Sequence, residues 1–508
     1  MKFRIALLIL AATPLLAAEF QSGQAARAVL GQSSFTSREP GVKVQSMAIA
    51  GTNLFAADSS QQILTFDLSK IPDARADFST RGTTGCGLCG ISPVAITHES
   101  VLPGIAAASQ WGKTVAVVDS ARHRVLIWRD SSSPSANLGP DVILGQSDDS
   151  NQIGPSTLID PVSVALDGKR VFVGDAALHR VLVWNSVPAA GNQPADAALG
   201  QADLSSSSLA ENPAPDSIVQ PAALVSDGTN LFVADPASQR ILVFSPGDLS
   251  LNPHSFLNSA SLQFGPLAAG TLITINASGL SDTSINAESA NAETANPAPL
   301  PRRLGNTEVI FDGLALPLLS ASPSQLQAQL PFDLEGRTAA SLYVRTEHSN
   351  GAITVTSPLS LRLAPAAPGL FAFSGTEPRG GIVLHAGQPA DSAAGAPVTD
   401  ESPAASGEVI TVWATGLGAI LDGNGGASAI AGVPFSGPPA PTAIPVTARI
   451  NGQDAQVLSA ELPKGSIGVY EVKILVPGVH EPSGQLSIAQ NGNASNVITF
   501  SLRSPAAQ

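Results

Sequence analysis

The sequence has few cysteines, little charge and no long apolar runs beyond its N-terminus. Cys86 and Cys89 are the only cysteines in 508 residues. A structural zinc site needs four ligands, and only His98 lies near this pair. Charged residues make up 13% of the chain, about half the usual share of a soluble domain. The balance is acidic, with a formal net charge of -14. A lysine-poor, acidic surface repels phosphate backbones, which excludes nucleic acid as a partner and disfavours anionic membrane surfaces. No later segment is long and apolar enough to span a membrane. There is no G-x-S-x-G elbow, no P-loop and no H-E-x-x-H, and the seven histidines are not paired at metal-ligand spacing. The sequence therefore assigns no catalytic residue, no metal ligand and no cofactor.

Turn-forming residues are abundant, with 46 Gly and 40 Pro. Chains punctuated this often form short strands and turns rather than long helices, which predicts an all-β protein. The length prior gives about three domains. At the N-terminus, Lys2 and Arg4 precede an apolar stretch over 5–16, and Ala17 and Ala18 offer small residues for cleavage. This reads as a signal peptide over 1–18, because the apolar run is shorter than the roughly 20 residues of a membrane helix. A cut after Ala18 puts Leu16 at the -3 position, so the cleaved bond is fixed only to within a residue or so. No cysteine follows directly, which excludes lipid attachment there. The expected location is secreted, periplasmic or at the cell surface.

Gly85-Cys-Gly-Leu-Cys-Gly90 admits three readings. In an oxidising compartment, Cys86 and Cys89 form a local disulfide that clamps a glycine-rich loop. A redox-active pair sits at a helix N-terminus, and no helical pattern follows here. The third reading is the zinc site, which lacks ligands.

Self-comparison reveals a repeat in the first half. The segments Leu54-Phe-Ala-Ala-Asp58, Val115-Ala-Val-Val-Asp119, Val171-Phe-Val-Gly-Asp175 and Leu231-Phe-Val-Ala-Asp235 align, with their Asp residues 61, 56 and 60 apart. Each precedes a second apolar run: Gln62-Ile-Leu-Thr-Phe66, Arg124-Val-Leu-Ile-Trp128, Arg180-Val-Leu-Val-Trp184 and Arg240-Ile-Leu-Val-Phe244. A third element recurs as Val29-Leu-Gly-Gln32, Ile143-Leu-Gly-Gln146 and Ala198-Leu-Gly-Gln201. Asp-Gly at 167–168 and 227–228 supplies hairpin turns. Three or four strands per unit is the arithmetic of a β-propeller. The Asp and Arg strands resemble the NHL repeat family, which implies a small propeller over 20–250, here with four blades. If Leu-Gly-Gln is the outer strand of the preceding blade, the first copy has no blade of its own. It is then expected to pair near 241–244 and close the ring, removing exposed sheet edges.

Asp58, Asp119, Asp175 and Asp235, with Arg124, Arg180 and Arg240, invite a functional reading. A structural one fits better: Asp bonds turn amides at a strand end, and Arg pairs with a carboxylate between blades. Identical positions in every repeat are what a structural role demands, whereas a catalytic site breaks the repeat. His123 and His179 stand where Gln61 and Gln239 stand in the other units. Two histidines on one rim could hold a metal, but Gln alternates with them and no third ligand is evident.

The second half contains a duplication. Gly270-Thr-Leu-Ile-Thr-Ile-Asn-Ala-Ser-Gly-Leu280 aligns with Gly407-Glu-Val-Ile-Thr-Val-Trp-Ala-Thr-Gly-Leu417, and Phe311-Asp-Gly313 aligns with Ile450-Asn-Gly452. Side chains alternate, Ile410, Val412 and Ala414 on one face against Val409, Thr411 and Trp413 on the other, as in a two-sheet sandwich. Two immunoglobulin-like units are expected, over 255–364 and 365–508. Motifs such as Leu257-Asn-Ser-Ala-Ser261, Pro368-Gly-Leu-Phe371, Ala414-Thr-Gly-Leu-Gly418 and Gly468-Val-Tyr-Glu-Val472 resemble the C-terminal domain family abundant in Solibacter-type Acidobacteria, and the units also resemble IPT/TIG sandwiches. That resemblance implies an exported protein and lends no catalytic residue. Asp422-Gly-Asn-Gly-Gly426 has a calcium-loop flavour but lacks the later Glu.

The leading expectation is a secreted or cell-envelope binding protein that is not an enzyme. Its propeller is a recognition surface for an extracellular protein or glycan, and its sandwiches are spacers or docking modules. The alternative is a metal-dependent propeller hydrolase or lyase, and a third option is an envelope structural component.

Overall fold

The computed structural model describes residues 18–59, 62–79, 87–93, 95–98, 108–130, 140–145, 153–287, 298–386, 395–421, 429–478 and 481–503, with 95–98 described for backbone only. The signal segment, Cys86, Gln61 and the 422–426 loop lie outside the described residues. What is described is all-β, the only helical elements being single turns such as Ser120–Arg122 and Pro236–Ser238. No described helix is long and apolar enough to cross a membrane.

The first half forms four antiparallel sheets of four strands each. A leading strand β1 (Ala28–Leu30) is followed by β2 (Val44–Ala50), β3 (Asn53–Asp58), β4 (Gln62–Asp67) and β5 (Ala95–His98) in the first sheet. The second sheet holds β6 (Ala108–Trp111), β7 (Thr114–Asp119), β8 (Arg124–Trp128) and β9 (Val142–Leu144). The third holds β10 (Pro161–Leu166), β11 (Val171–Asp175), β12 (Arg180–Trp184) and β13 (Ala197–Leu199). The fourth combines β14 (Ala223–Ser226), β15 (Leu231–Asp235) and β16 (Arg240–Phe244) with β1.

The register explains the position of β1. Val29 lies opposite Leu242, as Ala198 lies opposite Leu182 in the third sheet and Ile143 opposite Leu126 in the second. The three Leu-Gly-Gln elements thus fill the same outer slot, and the first copy fills it in the last sheet. Without it, β16 would present a bare edge.

The third and fourth sheets bury both faces, and β11, β12, β15 and β16 are buried along their whole length, whereas β3, β4 and β8 of the first and second sheets bury only alternate residues. Because side chains alternate along a strand, neighbouring residues enter different cores. Leu231 and Val233 pack with third-sheet residues such as Phe172 and Val183. Phe232 and Ala234 pack with first-sheet residues such as Leu54 and Phe66. The second and third sheets share another core around Ile127, Val173 and Trp184. The first strands follow the same order, with β6 against β10, β10 against β14, and β14 against β2.

The stretch 256–362 builds two five-stranded sheets around one core, and 369–501 builds two six-stranded sheets around another. The duplication is visible in strand order. One sheet of the first unit runs Phe256–Asn258, Leu272–Asn276, Gln325–Gln329, Leu318–Ala321, Ile285–Asn286. Its counterpart runs Gly369–Leu370, Val409–Thr415, Tyr470–Leu475, Val457–Leu462, Ala440–Pro441. Ile410, Val412 and Ala414 face the core, as the alternation requires.

The two halves are not joined by a bare linker. Ile310, Tyr343 and Val355 complete the core between the first and fourth sheets. Buried Glu308 accepts the Phe78 amide at 3.0 Å and pairs with Arg345 at 3.0 Å. Arg345 also donates to the Arg75 carbonyl at 2.6 Å.

Candidate functional site

The repeated polar residues are engaged in holding loops. Asp175 and Asp235 are fully buried. Asp175 accepts the amides of Ile159 and Asp160, each at 2.9 Å. Asp235 accepts those of Val219 at 3.3 Å and Gln220 at 2.9 Å. Asp58 accepts the Lys43 amide at 2.5 Å. Each carboxylate therefore fixes the chain where it enters the first strand of its own sheet. Asp119 differs in being more exposed. It binds Arg124 at 2.8 Å, and this guanidinium holds its carboxyl below the usual range.

Arg180 and Arg240 bond carbonyls more than carboxylates. Arg180 donates to the carbonyls of Leu204, Gly154 and Thr157. Arg240 donates to those of Phe35, Ala214 and Ser217 and to the Asp235 carboxylate. Leu204 and Phe35 both stand three residues after the glutamine of Leu-Gly-Gln, so the N-terminal segment supplies to the fourth sheet what a preceding repeat supplies to the third. One planar fork joining three loops suits Arg and not Lys.

His123 and His179 each adopt a left-handed backbone, φ 53. Their Nδ1 atoms meet the carbonyls of Ile159 and Val219 in the following sheet at 2.5 and 2.7 Å. Gln239, at the same place with φ 54, accepts the Gly41 amide at 3.0 Å. These are clasps between sheets, which explains why Gln and His interchange. Among the described residues no three His, Cys, Asp or Glu side chains converge on a metal position.

Cys89 is disulfide-bonded and packs beside the core between the third and fourth sheets. Its loop lies on β1, where Leu88 accepts the Val29 amide at 3.1 Å and donates its own amide to the Asp312 carbonyl at 3.0 Å. A Cβ on Gly87 would sit 2.5 Å from the Gly313 oxygen, so the glycine permits this wedge between the halves.

One constellation escaped the sequence reading. In the second sandwich His385 Nδ1 meets the Glu408 carboxylate, and its Nε2 lies 3.1 Å from both the hydroxyl and the carbonyl of Ser402. The connectivity resembles a nucleophile relay. However, the ring is wholly buried, and one of its partners is a carbonyl that can only accept. The other Glu408 oxygen accepts the Ala405 amide at 2.8 Å. This arrangement ties the 399–408 loop to the strand Val383–His385.

Two features break the repeat. The first is on the face made by the outer hairpin turns. Ala50, Trp111, Leu166 and Ser226 end the first strands of the four sheets, directly before the turns. Trp111 is 43% exposed. Its indole lies against the tips of two other sheets: a Cβ on Gly168 would fall 2.4 Å from Nε1, and one on Gly228 3.3 Å from Cη2. Beside it, between the tips of the first and fourth sheets, opens a cavity of about 360 Å³ lined by Thr52, Asp73, Arg75, Asp227, Thr229 and Asn230 among others. Buried Arg27 braces the cavity from behind through Ser245 at 2.9 Å, the Pro72 carbonyl at 2.9 Å and Asn230 at 3.3 Å. Asp227 accepts the amides of Thr229 and Asn230, and Arg75 grips Asp248 with distances of 2.5 and 2.7 Å. The walls are pre-formed, and an aromatic ring beside a few fixed polar groups is the usual make-up of a ligand site. The signal in the sequence was Trp111-Gly112, standing where the third and fourth repeats carry Asp-Gly and the first carries Ala50-Gly51.

The second feature is Asp216, where the third repeat has Ser156. It lines a cleft of about 670 Å³ between the 200–217 loop and the first sandwich, with Ser360 and Arg362 opposite. Burial raises its carboxyl, and Ser360 and Arg362 pull it back.

No family model and no curated protein matches the chain. Solved structures do match part of it, and the chain spans about half the length of the first of them. The β-propeller domain of Myceliophteria thermophila Cps50 (Swd1) is 11% identical with a TM-score of 0.19, over 40% of this chain and 53% of that one. SGBP-B from a xyloglucan utilization locus of Bacteroides uniformis is 12% identical with a TM-score of 0.15, over 47% of each chain. SGBP-B from the Bacteroides ovatus mixed-linkage glucan locus, solved with a heptasaccharide, is 11% identical with a TM-score of 0.20, over 54% of this chain and 52% of that one.

Proposed function

We propose that this chain is an exported binding protein. In this reading a four-bladed propeller of NHL type, sealed by its N-terminal strand, presents a recognition face. Two immunoglobulin-like sandwiches of the Solibacter-type and IPT/TIG kind act as spacers or docking modules. The protein works outside the cytoplasm, as a secreted, periplasmic or cell-surface component, on an extracellular protein or glycan. The observation that carries this reading is the contrast between the repeated residues and Trp111. The former are committed to loops and neighbouring sheets. The latter stands in one repeat only, half exposed, against the tips of two other sheets and next to a braced cavity. A departure from symmetry that places an exposed indole on the surface is suited to recognition.

The test uses full-length protein against immobilised cell-wall polysaccharides, plant polysaccharides and secreted proteins, read by interferometry. Wild type binds at least one surface, and Trp111→Ala loses that binding while keeping its melting temperature. Equal binding by both proteins overturns the assignment of the face.

A further inference from the structure

We infer that the hairpin-tip face takes a neutral saccharide, one ring stacking on Trp111 and its hydroxyls entering the adjoining cavity; this rests on the binding reading above. The chemistry of the groups selects the class. The indole offers a flat apolar surface, and its N–H has no acceptor among the described residues, which leaves a free donor at the edge of that surface. The cavity supplies the complementary acceptors. Asp73 spends one oxygen on the Arg75 amide at 2.7 Å, leaving the second without a protein partner among the described residues. Asp227 accepts the Thr229 and Asn230 amides on one oxygen and the Asn230 side-chain amide on the other. An ionised carboxylate accepts about four bonds, so both residues have capacity left. The hydroxyls of Thr52 and Thr229 can donate or accept.

A ligand that fits must bring several O–H donors and an apolar ring face together. A saccharide does. A proline-rich peptide, the other common partner of an exposed indole, brings mainly carbonyl acceptors and lacks N–H groups, so it leaves the carboxylates unanswered. Two carboxylates stand on the wall, its Arg75 is already paired with Asp248, and with a net charge of -14 the carboxylates oppose an anionic sugar. The volume of about 360 Å³ lies within the range of small-ligand sites.

The experiment is calorimetry and tryptophan emission on the full chain with neutral hexasaccharides of glucose, xylose, mannose and N-acetylglucosamine, with an oligogalacturonate and a polyproline peptide as comparisons. We expect saturable binding of at least one neutral oligosaccharide, and weaker or no binding of the uronate and the peptide. Trp111→Ala weakens it at least tenfold, Trp111→Phe by less, and Asp73→Asn with Asp227→Asn several-fold. Phe373→Ala, an exposed aromatic on the second sandwich, leaves it unchanged. If no saccharide binds, or the peptide binds better, while Trp111→Ala still abolishes capture by an immobilised surface, the saccharide assignment falls and the binding face stands. If a saccharide binds equally well to wild type and Trp111→Ala, both fall.

Discussion

At the scale of single residues, the fold depends on a few buried ions. Arg240 is 1% exposed and bonds three carbonyls and a buried carboxylate. Arg240→Met strips Asp235 of its counter-charge, and breaking a buried pair from one side costs about 3–5 kcal/mol. Arg240→Lys costs a large part of that, since an ammonium cannot reach three loops at once. Arg124→Lys, at a pair closer to solvent, costs less than either. Urea unfolding of the three variants checks the ranking. Asp312 gives a pH signature. Burial pushes its carboxyl up to about 7 from the ordinary 3.8, although the Ser341 amide and Arg337 pull it down. Between those values the folded chain keeps a proton that the unfolded chain has released, so stability falls as pH rises across the window. The duplicate unit carries Asn451 at the same turn, and both residues are left-handed, φ 47 and 51. Asp312→Asn therefore keeps the turn and removes the dependence. On going from about pH 5 to about pH 8, the wild-type melting temperature drops relative to that of the variant, and parallel curves would refute the account.

At the scale of elements, β1 matters more than its three residues suggest. Val29→Asp puts a charge at a fully buried site and detaches the strand from β16. The bared edge then recruits other chains, and light scattering after size exclusion reports oligomers absent from wild type. The pairing of β1 was legible beforehand, because the first Leu-Gly-Gln copy precedes every blade and so had no preceding blade of its own to join. The duplicated sandwiches were legible for the same reason: Gly270 to Leu280 and Gly407 to Leu417 keep one alternation. Trp111 was not. Repeat comparison weighs what recurs, and a residue that matters by differing falls into the gaps of the alignment. The His385, Ser402 and Glu408 cluster was also illegible, since its members lie on separate segments that only the folded sheet brings together.

At the scale of the whole molecule, the boundary near residue 250 is a shared core. The sequence set Phe311-Asp-Gly313 against Ile450-Asn-Gly452 but could not say which neighbour the strand leading into that turn would meet. Tyr343 is 1% exposed and stands edge-on to Phe78, with ring centroids 6.4 Å apart. Tyr343→Ala removes about 3–5 kcal/mol, and the loss is felt across the boundary: amide exchange quickens in Asn53–Asp58, far away in sequence. Unchanged exchange there would mean that the halves are energetically independent.

The strand slot filled by Ala28–Leu30 also sets a timetable. Leu30 must wait for Ile241, 211 residues downstream, and the first sheet must wait for Tyr343. Contacts of such long reach form late. A chain built this way stays open while it is being made and locks only when its distant parts have arrived.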